Sequence, residues 1–76
     1  MNDNKNMGKI FLYSRKLMGF SQRRMAILLH VNQSTVSRIE KGIFYPGVDL
    51  RKRLELLTGL NMQELIRRTV KASLEM

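Results

Sequence analysis

The stretch from Phe20 to Gly42, FSQRRMAILLHVNQSTVSRIEKG, constrains the fold more than any other part of the chain. Met25, Ala26 and Leu29 recur at helical spacing, and Val36 and Ile39 do so again after His30-Val31-Asn32. Three connecting residues are too few to let two helices lie antiparallel, so the pair must cross at a steep angle. Ser21 suits the N-cap of the first helix and Asn32 that of the second, because a short polar side chain can accept from an amide the helix leaves orphaned. Gly42 suits the left-handed position that ends the second. Ala26 falls where the two helices pass closest, and a larger side chain there would push them apart.

The remaining segments read as helices around this pair. A first helix predicted over Gly8–Met18 turns Ile10, Phe11, Ser14, Leu17 and Met18 inward and ends at Gly19. A loop over Ile43–Gly47 contains Pro46. A fourth helix, about Asp49–Leu57, turns Leu50, Leu54 and Leu57 inward and closes at Gly59. A fifth begins after Asn61 and continues through Leu65, Ile66 and Val70 towards Leu74. Asn61 with Glu64 resembles a capping box, and Leu60 with Leu65 a hydrophobic staple. No segment carries a strand signal, an internal repeat or a long linker. The expectation is an all-α fold of five short helices around one core, a single domain over residues 8–76. Residues 1–7, MNDNKNM, are polar and read as a flexible arm.

Composition narrows the function. There is no cysteine, and the lone His30 cannot anchor a structural zinc by itself. The chain shows no nucleophile–base pair, metal-ligand cluster or phosphate-cradling glycine loop, so no catalysis and no cofactor are expected. No apolar run approaches the ~20 residues that span a bilayer, and no signal-peptide pattern opens the chain, so the expected compartment is the cytoplasm. Fourteen Lys and Arg against six Asp and Glu give a formal charge of +8, which calls for a polyanionic partner. A membrane surface fits poorly, because the basic residues surround a core instead of lining one amphipathic helix.

The second helix of the pair supplies the chemistry. With Val36 and Ile39 inward, Gln33, Ser34, Ser37 and Arg38 remain on its outer face. A major groove about 12 Å wide admits one such helix. Gln can bond adenine N6 and N7 together, and Arg can bond guanine O6 and N7 together. Gln22 opens the preceding helix, where free backbone N–H groups form an anion site. Double-stranded DNA is therefore the expected partner.

These residues carry a family resemblance. Ser21-Gln22, Met25-Ala26, Leu29, Val31, Ser34-Thr35-Val36-Ser37, Ile39-Glu40-Lys41-Gly42 and Pro46, continued by Leu54, Gly59-Leu60-Asn61 and Glu64-Leu65, resemble the lambda-repressor-like, or XRE-type, helix-turn-helix domains of phage and bacterial regulators. The resemblance covers residues of about 8 to 66. It implies base reading by Gln33, Ser34, Ser37 and Arg38, and phosphate contact by Gln22, with Lys41 and Asn32 well placed for phosphates. Thr35 either supports the first turn of its helix or touches a phosphate. Arg15 and Glu40 match positions that form an ion pair between the first helix and the end of the third. Family members often act as homodimers on near-palindromic sites, and repression needs only occupancy.

Three departures matter. Arg23 and Arg24 stand where the family usually has acidic residues, and cations there oppose the helix dipole unless a phosphate lies across that end. His30 replaces the usual turn glycine, so a positive φ is expected of it. Ser14 replaces an apolar residue of the first helix, so its inner face is expected to rotate onto Ile10 and Leu17. There is also an apolar surplus at Ile27, Leu28, Ile43 and Phe44. Ile43, Phe44, Tyr45, Ile66, Val70 and Leu74 form the candidate dimer or partner surface. The alternative function is a protein-interaction module on the same fold, an antitoxin or anti-regulator whose regulatory protein partner meets an apolar face of Ile27, Leu28, Ile43 and Phe44.

Overall fold

The structure, a computed structural model, describes residues 3–75. Among them are five helices and no strand: α1 (Asp3–Met18), α2 (Gln22–Leu29), α3 (Gln33–Glu40), α4 (Val48–Thr58) and α5 (Met62–Leu74). The core is drawn from all five. Phe11, Met25, Leu29, Val36, Ile39, Leu54 and Leu65 are fully buried, with Met7, Ile10, Ala26 and Leu50 around them. α1 runs through the middle, packing against α3, α4 and α5, while α2 packs against α3 and α4. α3 is thus held from behind by α1 and from one side by α2.

The first helix is longer than its sequence pattern predicts. The expected arm over residues 1–7 is helical from Asp3, while Met1 and Asn2 lie outside the described residues. Asp3 in the first turn complements the helix dipole. Met7 then reaches the core at 7% exposure, so the extra turn gains apolar burial that a polar-looking stretch does not advertise. Ser14 is also resolved differently from expectation. It is fully buried and its Oγ donates to the Ile10 carbonyl at 2.7 Å, so the hydroxyl is satisfied within its own helix. No rotation of the face is needed, and Leu17 is left 46% exposed instead of inward.

α1, α2 and α3 end alike. Gly19, His30 and Gly42 take φ of 74°, 59° and 79°. In each case that residue's amide bonds back three residues and the next amide bonds back five, as in Gly42 to Ile39 and Ile43 to Arg38, both at 3.0 Å. His30 is the one non-glycine residue among those described with positive φ, as the turn requires. At the other helix ends, Ser21 Oγ accepts from the Arg24 amide and Asn61 Oδ1 from the Glu64 amide. Asn32 departs from expectation: it stands at the N-cap of α3 with extended backbone, but its side chain makes no cap bond. Glu64 is the absent half of the expected capping box. Its carboxylate binds Arg67 and Arg68 instead, and these two hydrogen-bonding partners hold its pKa down at about 2.

Candidate nucleic-acid interface

α3 is eight residues long, and its spacing divides it into two faces. Val36 and Ile39, both fully buried, anchor one. Gln33, Ser34 and Arg38 are exposed on the other, with Ser37 half-buried at its edge and exposed Lys41 just past the helix end. Thr35 is half-buried on the flank nearer Ile39. Arg23 and Arg24 are exposed in the first turn of α2, and Asn32 is exposed at the start of α3. Arg23, Arg24, Arg38 and Lys41 enter no ion pair among the described residues. The sole acid of α2 and α3 is Glu40, and it faces away into the fold. This surface consequently presents uncompensated positive charge beside short polar side chains.

Glu40 is the hub behind that surface. Its carboxylate accepts from Arg15 Nε at 2.7 Å and from Arg15 Nη2 at 3.1 Å, a bidentate pair between α1 and α3. Only 17% of the Arg15 side chain and 7% of the Glu40 side chain remain exposed. Hydrogen bonding to Glu40 raises the Arg15 pKa, against the lowering effect of burial. Arg15 also donates from Nη1 to the Phe20 carbonyl at 3.0 Å, which ties in the start of the α2 segment. Gln22 Nε2 donates to Glu40 Oε1 at 3.1 Å. One carboxylate therefore joins α1, the first residue of α2 and the last residue of α3.

Three of these arrangements are not legible from residue pattern. Gln22 is engaged with Glu40 and not solely directed to solvent, a bond between residues eighteen apart that leaves no local signal. Arg53 of α4 donates from Nη1 to the Leu29 carbonyl at 3.0 Å and so supports the last turn of α2, just before the tight turn. Gly8, expected at a helix start, lies inside α1 and is buried against the last turn of α3. A Cβ added there would come to 3.0 Å from the Glu40 carbonyl oxygen and closer still to that of Ile39.

The apolar surplus separates into parts. Leu28 is half-buried, whereas Ile27 stands out on α2 at 56% exposure. Ile43, Phe44 and Tyr45 are exposed in the loop after α3, and Ile66, Val70 and Leu74 along α5. Tyr45, Ile66, Val70 and Leu74 line a common groove of about 550 Å³ with Met7 and Ile10 of α1. Ile43 and Phe44 do not line it. The Arg51 guanidinium lies 5.3 Å from the centre of the Tyr45 ring, steadying the loop side of the groove. Among the described residues no group of His, Cys, Asp and Glu could hold a metal, and no helix is long and apolar enough to cross a membrane.

Compared with known families, residues 13–65 match a family model described as helix-turn-helix. No curated protein and no solved structure matches the chain.

Proposed function

The chain belongs to the helix-turn-helix family of the lambda-repressor-like, XRE type and is a DNA-binding regulator; we propose that it is a sequence-specific repressor, working as a homodimer on a near-palindromic operator. One observation carries the reading. The outer face of α3 is polar, basic and, among the described residues, free of ion pairs, while its inner face is locked by Val36 and Ile39. In the major groove, Gln33, Ser34, Ser37 and Arg38 read base edges. Gln33 favours adenine and Arg38 guanine, because each can form two parallel hydrogen bonds there.

The phosphates flank this helix. Arg23, Arg24 and Lys41 bring charge, Asn32 and Thr35 bring short polar groups, and Gln22 brings the amide hydrogen that Glu40 does not use. A phosphate lying across the start of α2 also offsets the unfavourable placement of Arg23 and Arg24 on the helix dipole. The dimer forms through the groove of Tyr45, Ile66, Val70 and Leu74, extended by Ile43 and Phe44. A second copy covering it sets two α3 helices ~34–36 Å apart along the duplex. Such a protein works in the cytoplasm, on the nucleoid.

The same groove supports a second reading, in which it receives a different regulatory protein, as in an antitoxin or anti-regulator. Selection of bound duplexes from a random pool, with the mass of the protein in solution measured alongside, separates the two. A palindromic consensus and a dimeric mass are expected. Sequence enrichment by a monomer would remove the homodimer, and no enrichment at low salt would favour the interaction module.

A further inference from the structure

Resting on the reading of α3 as the base-reading helix, we propose that α1, through Gly8 and Arg15, is the positioning element for the C-terminal half of α3 and hence a determinant of which bases Ser37 and Arg38 accept. Three contacts grip that end of the helix. The Lys5 backbone and side-chain stem press on the Gly42 turn, where an added Cβ would lie 3.2 Å from Lys5 Cα and 2.9 Å from its Cγ. Gly8 meets the Ile39 and Glu40 carbonyls so closely that only hydrogen fits in place of a side chain. Arg15 holds Glu40 by a bidentate pair. The first two come from residues that precede the stretch matched by the family model, which begins at residue 13.

The neighbours at Gly8 are backbone carbonyls of a helix, not the far end of a flexible side chain. A methyl group there cannot be accommodated by a rotamer change, so the two helices must move apart at that point. Ser37 and Arg38 lie directly before the displaced carbonyls. Gln33 and Ser34 lie a turn or more away, beside the tight turn to α2. Displacement at Gly8 therefore tilts α3, moving its C-terminal half more than its N-terminal half. Bidentate bonds to a base edge weaken steeply with such misplacement, whereas phosphate attraction does not.

The test is the base-preference profile of Gly8→Ala beside the wild-type chain, with positions assigned by the profiles of Gln33→Ala and Arg38→Ala. Arg15→Lys serves as a second variant, because it preserves charge and adds no bulk yet loosens the grip on Glu40. Gly8→Ala is expected to stay helical and to lose roughly tenfold in affinity for the selected duplex, the worth of one bidentate base contact. Its low-salt affinity for scrambled duplex should stay within about threefold, since no charge changes. The lost preference should fall on the positions of Ser37 and Arg38, with those of Gln33 and Ser34 kept, and Arg15→Lys should show the same pattern more weakly. An unchanged profile, or a loss spread evenly over the site, overturns the inference. If Gly8→Ala does not fold, the Arg15→Lys profile alone decides in the same two directions. If the wild-type chain selects no sequence, the base-reading function itself is overturned and this inference with it. A retained wild-type preference with unmoved variants overturns this inference alone.

Discussion

The two ends of α3 are built in opposite ways. At its C-terminal end Gly42 closes the helix in the left-handed region, Glu40 is held by Arg15 and Gln22, and α1 approaches backbone to backbone at Gly8. At its N-terminal end His30 takes a left-handed conformation that costs a residue with a Cβ, and Asn32 makes no cap bond. One end is tied into the fold, and the other leaves the Gln33 and Ser34 amides and its short polar side chains unspent among the described residues, while the Thr35 amide already donates to the Asn32 carbonyl at 3.0 Å. The contrast teaches where a groove-inserted helix can best be rigid. Its geometry is set from the buried end, while groups already bonded to the protein would be lost to DNA at the entering end.

Substitutions test this contrast directly, and the tied end should respond most. Glu40→Ala should cost about 3 kcal/mol, because it leaves a largely buried Arg15 without its partner and releases Gln22 as well. Denaturant unfolding measures this, and a loss below about 1 kcal/mol would mean that water replaces the carboxylate and the end is not truly tied. Gly42→Ala should cost about 1–2 kcal/mol for the left-handed backbone at φ 79°, with Lys5 forced to shift in addition. A shift in midpoint without a change in slope would confirm a local cost in the folded state.

The open end should respond weakly and with different signs. His30→Gly should gain about 0.5 kcal/mol, since relief of the left-handed penalty exceeds the entropy that glycine loses on folding. A lower melting temperature would show that the entropy cost dominates there. Asn32→Ala should change stability by less than about 0.5 kcal/mol, below the ~1 kcal/mol typical of an N-cap, because no cap bond is present to lose. It should nonetheless weaken binding to selected and scrambled duplexes alike. A full-sized loss of stability from Asn32→Ala would erase the distinction between the two ends.

Much of this molecule is written locally. Helical spacing of Met25, Leu29, Val36 and Ile39, the caps at Ser21 and Asn61, and the left-handed turn at His30 follow from interactions spanning no more than five residues, so the sequence alone determined five helices, the tight pair and the outward set on α3. The tertiary structure decided what depends on which surfaces meet. The start of α1 at Asp3 and the burial of Met7 follow from docking on the core, and polar neighbours conceal both in the sequence. Leu17 faces outward because Ser14 could satisfy its hydroxyl on Ile10 and remain buried. The Gln22–Glu40 bond, the support of Leu29 by Arg53 and the contact of Gly8 with the end of α3 join residues 18 to 32 apart. No periodicity encodes such partners; they are fixed only when helices of this length cross at this distance.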